Sequence, residues 1–234
     1  MFKSKFILII FSGFLCFQAK AQGNLPDIDN KPFHFGFSLG FNAMDFGIVP
    51  SLLDINGEVY TANISDLQPG FTVGIISDMR LSRYLNLRLT PMLNFGDRNI
   101  VYKSKPGGLT QNINITSIPV CVPLLLKYSS ERYKNFRPYL IGGGGFYVDL
   151  GRATDKPLLL KPFDLYTEFG VGCDIYFSFF KLSPEIKFAL GMNNMLTPLD
   201  ERTSGLILTE KDKIYSNALS QLTSRILTFT FNFE

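Results

Sequence analysis

From Phe33 to Asn42 the chain alternates strictly, with Phe33, Phe35, Phe37, Leu39 and Phe41 on one parity and His34, Gly36, Ser38, Gly40 and Asn42 on the other. Successive side chains on a strand point to opposite faces, so this stretch predicts a strand with one oily and one small or polar face. A period of 3.6 would scatter both sets around a helix. The pattern recurs, giving eight candidate strands: 33–44, 70–81, 84–95, 113–128, 137–150, 164–176, 181–193 and 221–233. In the third, Leu85, Leu87, Leu89, Leu93 and Phe95 oppose Asn86, Arg88, Thr90 and Asn94. In the last, Leu227, Phe229, Phe231 and Phe233 oppose Ser224, Thr228, Thr230 and Asn232. Each is long enough for the ~9–11 tilted residues that cross a bilayer.

The gaps alternate as well. Those at about 45–69, 96–112, 151–163 and 194–220 are long, whereas 82–83, 129–136 and 177–180 are short. Short turns at one end and long loops at the other mark an all-β, eight-stranded antiparallel up-and-down transmembrane barrel. In that fold the turns and both termini face the periplasm and the long loops face outward. Tyr84, Tyr128, Phe177, Phe179, Phe180, Phe231 and Phe233 gather at the turn end, where an aromatic girdle belongs. Pro91, Pro119, Pro123 and Pro184 lie within the candidate strands, and each removes a ladder donor. Bulges near Pro119 and Pro123 would reconcile them with the pattern.

The N-terminus explains how such a chain reaches a membrane. Lys3 and Lys5 precede an apolar run, 6–17, and Ala19-Lys20-Ala21 offers a cleavage site before Gln22. This reads as a signal peptide, with a core too short to span a bilayer. Cys16 raises lipidation, but Leu15 stands where a lipobox takes a small residue. The expected division is 1–21 signal peptide, 22–32 periplasmic leader and 33–234 barrel. Loss of Lys3, Lys5 and Lys20 leaves twenty basic against twenty acidic residues. That balance gives no electrostatic reason to expect nucleic acid as a partner. Cys121 falls in the lumen-facing set and Cys173 in the lipid-facing set, so two free thiols are expected.

Candidate chemistry is sparse. Arg88, Lys127, Asp149, Glu168, Asp174, Glu185 and Lys187 are expected to face inward, with His34 near the periplasmic end. In a narrow lumen such charges must pair, so a structural polar network is the plain reading. The sharper one makes Glu168 and Asp174 an acid and a base. An eight-stranded interior holds only its own side chains, which argues against a pore or a small-molecule substrate. One histidine and two non-facing cysteines make a metal site improbable, and no cofactor is expected. The Gly142–Gly145 run lacks the Lys-Ser/Thr and following helix of a phosphate loop and instead marks close backbone approach. Val49, Leu52, Leu53 and Ile55 make the first long loop unusually apolar, either self-packed over the mouth or set to contact a partner.

Several runs resemble PorT-type (SprT-type) outer-membrane proteins: Phe33-His34-Phe35-Gly36-Phe37, Tyr84-Leu85-Asn86-Leu87-Arg88 and Asn135-Phe136-Arg137-Pro138-Tyr139. Leu160-Lys161-Pro162-Phe163-Asp164, Phe180-Lys181-Leu182-Ser183-Pro184-Glu185 and the closing Phe229-Thr230-Phe231-Asn232-Phe233-Glu234 extend the likeness over nearly the whole mature chain. The resemblance implies a non-enzymatic part of the type IX protein secretion machinery, needed to export surface proteins and, in gliding bacteria, adhesins. It implies outer-membrane lipid and other secretion components as partners. Two alternatives stand beside it: an OmpA-like barrel that supports the envelope, and a lipid hydrolase.

Overall fold

The computed structural model describes residues 24–25, 28–51, 54–55, 58–64, 68–105, 110–151, 159–197 and 217–234. The expected signal peptide lies outside them. Twelve antiparallel strands form one sheet: β1 (Phe33–Pro50), β2 (Asp54–Ile55), β3 (Glu58–Ile64), β4 (Pro69–Arg80), β5 (Leu85–Leu89) and β6 (Met92–Lys105), followed by β7 (Thr110–Ser117), β8 (Pro119–Ser129), β9 (Phe136–Asp149), β10 (Phe163–Tyr176), β11 (Lys181–Gly191) and β12 (Leu219–Phe233). Following the ladders gives β1-β12-β11-β10-β9-β8, then the stacked pair β5 and β6, then β4, which pairs back to β1. The sheet therefore closes into an eight-position up-and-down barrel.

The surplus over eight strands has two causes. Prolines break two walls. The expected strand 84–95 divides at Thr90-Pro91, where Ile75 N–H donates to Pro91 O (3.0 Å) and Thr90 N–H to Pro123 O (3.4 Å) instead of a regular ladder. The strand expected over 113–128 divides at Ile118, just before Pro119. There Asp149 accepts from Ser117 Oγ, Ile118 N (2.9 Å) and Gly151 N (3.0 Å), capping the break. Pro123 stays within β8.

The second cause corrects the sequence reading. The gaps 45–69 and 96–112 are not plain loops, because β1 runs on past the barrel paired with β12 and β6 runs on to pair with further strands. β6 pairs with β7 and β3, and β3 with β2. The same two-residue period continues there, with Ile100 and Tyr102 on β6 and Ile113 and Ile115 on β7 all buried. This sheet folds its apolar face inward over the loop end.

Outside, Phe35, Phe41, Ile75, Leu124, Leu140, Phe169 and Ile186 are exposed and form an apolar belt. Phe37 stacks on Phe233 (4.9 Å between ring centroids) and Phe177 on Phe180 (4.9 Å) at the turn end. Inside, the parity that carries Ser38, Thr72, Arg88, Lys127, Glu185 and Thr230 is buried. Cys121 is buried in the lumen, Cys173 is half-buried, and both are free.

Candidate functional site

The lumen is filled in three layers. At the turn end, Arg88 on β5 sits at the centre of an ion cluster. Its guanidinium reaches Asp78 of β4 (2.7 Å), Glu185 of β11 (2.5 Å) and Glu234 (2.9 Å), tying walls from opposite sides of the barrel. Lys181 pairs with the other Glu234 oxygen (2.7 Å). Lys127 bridges both oxygens of Asp174 (2.8 and 2.9 Å), which also accepts from Ser183 Oγ (2.6 Å). Lys187 lies between Glu168 (3.2 Å) and Glu185 (3.7 Å), and Tyr139 donates to Glu185 (2.6 Å) while its ring lies 3.9 Å from the Lys127 ammonium. Every one of these side chains is within a few per cent of complete burial, and each charge meets an opposite one.

The middle layer is uncharged. Asn42 donates to Thr72 (2.9 Å), Thr72 to Asn94 (2.6 Å) and Asn94 to the Cys121 sulfur (3.2 Å), a chain running from β1 across β4 and β6 to β8. The third layer, at the loop end, is apolar. Met44, Phe46, Ile100, Tyr102, Tyr147, Met195 and Leu222 belong to one buried cluster there, with Arg98 laid over the Phe46 ring at 4.7 Å.

A leader closes the turn end. Asp29 lies in a 3-10 turn, Ile28–Asn30, just before β1, yet its carboxylate meets Arg137 (3.3 Å), Arg132 (3.6 Å) and Tyr176 (2.6 Å) on the far side of the mouth. Asn24 bonds Asn135 (3.1 Å) and the Tyr176 carbonyl (3.0 Å) beside them. The leader is thus a strap across the opening. Hydrogen bonds to charged groups contribute ~1.5–3 kcal/mol, so Asp29→Ala should raise amide exchange over 28–34 at least about tenfold. Hydrogen-exchange mass spectrometry reads this directly, and unchanged protection would mean the strap is held by other contacts.

Of the residues singled out from sequence, Arg88, Lys127, Glu168, Asp174, Glu185 and Lys187 converge in the ion cluster. His34 does not. It is buried beside the strap, with Nε2 2.6 Å from Ile28 O. Asp149 caps the β7–β8 break instead. Val49 is half-exposed on the extended end of β1 and Ile55 is in β2, while Leu52 and Leu53 fall outside the described residues. Asp78, Lys181, Glu234 and Arg98 were missed, although each shares the inward parity of its own strand or of its immediate extension. Among the described residues, no group of three or more His, Cys, Asp or Glu side chains is placed to hold a metal ion.

A closed antiparallel ring, oily outside and filled with paired charges within, defines an integral outer-membrane barrel whose belt faces lipid. Consistent with this, the chain belongs to the outer membrane protein beta-barrel domain family, whose profile matches residues 20–197. Two solved barrels show a distant likeness. OprG from Pseudomonas aeruginosa is 14% identical, with 92% of this chain and 96% of that one covered and a TM-score of 0.45. AlkL, determined by solid-state NMR in DMPC bilayers, is 12% identical, with 92% of each chain covered and a TM-score of 0.35. No curated protein matches the chain.

Proposed function

We propose that this protein is a sealed, non-enzymatic barrel subunit of the type IX protein secretion machinery, working through its two ends rather than through its lumen. The observation that carries the sealed reading is the Arg88 cluster. A guanidinium held by carboxylates from β4, β11 and the residue after β12, beneath a buried apolar cluster, fills the interior with its own side chains. The secretion role rests on the resemblance of the strand and turn runs to PorT-type proteins. In this reading residues 1–21 direct export and are removed, the turns and termini face the periplasm, and the sheet at the loop end faces outward.

The expected result is twofold. A clean deletion abolishes export of surface proteins, and the purified protein conducts no ions in planar bilayers. Intact export removes the secretion role, and normal export with altered detergent sensitivity would instead mark an envelope-supporting barrel. Steady ion conductance overturns the sealed lumen independently.

A further inference from the structure

The outer wall is not uniform. Where Pro91 interrupts the strand, β4 changes partner: Ser77–Arg80 pair with β5, whereas Phe71–Gly74 pair with β6. On the other flank, β8 pairs Leu124 with Leu89 and Cys121 with Met92, so Val122 and Pro123 fall between the two registers. Pro91 and Pro123 therefore lie diagonally across a seam to which neither can donate a ladder bond. Beside it the wall is hollowed into an apolar groove of about 400 Å³, lined by Val73, Ile75, Pro91, Leu93 and Val120.

We propose that this groove is a binding site for one acyl chain of a phospholipid, which packs into the hollow beside the seam. Three observations select this occupant. The groove is continuous with the exposed belt at Phe71, Ile75, Leu89 and Leu124, so in the membrane it opens onto hydrocarbon. Its lining offers a polar headgroup nothing to bond. Its depth also suits a chain entering from the turn side, because Ile75 lies five residues from Arg80, the end of β4. At ~3.3 Å per residue and the ~40° tilt of barrel strands that is about 12 Å of depth, within the ~15 Å of one leaflet's hydrocarbon. At the foot of the same seam, in the β4–β5 turn, stands Arg83. Its side chain is 72% exposed and able to meet a lipid phosphate while leaning on Glu131 (3.1 Å).

A chain seated in the hollow buries more apolar surface than one lying on the smooth belt, so it stays longer than the lipid around it. Native mass spectrometry of protein reconstituted in palmitoyl-oleoyl phosphatidylethanolamine and then exchanged into detergent tests this. The wild type and Ile186→Phe, a change on β11 across the barrel from the groove, should each keep one phospholipid. Val73→Phe and Val120→Phe fill the groove with apolar bulk and should lower retention at least about fourfold, the factor for losing one buried methylene of contact. The folded band of an unboiled gel confirms assembly of each variant, and either groove variant alone suffices if the other fails to fold. Equal retention in all four proteins, or no lipid retained by the wild type, overturns the proposal.

Discussion

Replacing Arg88 with methionine is expected to destabilise the barrel by about 3–5 kcal/mol, the cost of breaking a buried ionic group by removing one partner. That is a large part of a total stability of ~5–15 kcal/mol. The loss falls on Asp78, Glu185 and Glu234, whose carboxylates would then share the neighbouring lysines. Arg88→Lys should recover only a fraction, because a single ammonium cannot present the fork that reaches Asp78, Glu185 and Glu234 together. Urea titration of protein folded into lipid vesicles, followed by the shift of the folded band, measures both. Adding Glu185→Gln to Arg88→Met should recover part of the loss by removing one uncompensated charge. A midpoint unchanged in Arg88→Met would show that the cluster fills space without stabilising the fold.

Within the glycine run, Gly145→Val is expected to block folding while Gly142→Val is tolerated. A side chain on Gly145 would press its first carbon to 2.6 Å from Pro123 Cα, which is backbone and cannot move aside. At Gly142, which shares the outward parity of Leu140 and Phe146, the nearest such atom is Glu168 O at 3.9 Å. Overpacking typically costs 1–3 kcal/mol, and more where only backbone can yield. Gly143 resembles Gly145, its added carbon lying 3.0 Å from Leu125 Cα. The fraction of folded band after refolding into detergent micelles reads the contrast. Equal loss at positions 142 and 145 would place the constraint in backbone flexibility instead of close approach.

The barrel walls were legible because one face of every strand meets oil and the other a packed interior, a demand that prints parity directly into the chain. Phe33 through Asn42 and Leu227 through Phe233 show it without interruption. The strand extensions were less legible, since Ile113 and Ile115 alternate with polar neighbours but Val101 breaks the alternation between Ile100 and Tyr102, in stretches bounded by glycine and proline. Above the membrane one face meets water, so the outer set loses the phenylalanines that make the barrel strands plain. Lumen charges followed from parity, but their partners did not. Nothing local says that Arg88 meets Glu185 or Glu234, because that meeting is decided by ring closure and strand stagger. Asp29 shows the same limit: its partners, Arg132, Arg137 and Tyr176, lie more than a hundred residues away.

Glu234 follows the last strand and supplies carboxylate to both Arg88 and Lys181. Until β12 docks, those two cations lack one of their counterions and the first and penultimate walls have bare edges. A partly built cylinder is therefore ill suited to oil on two counts at once, and the arrival of a single hairpin arm cures both. Charge neutralisation and edge sealing thus both depend on the same C-terminal segment.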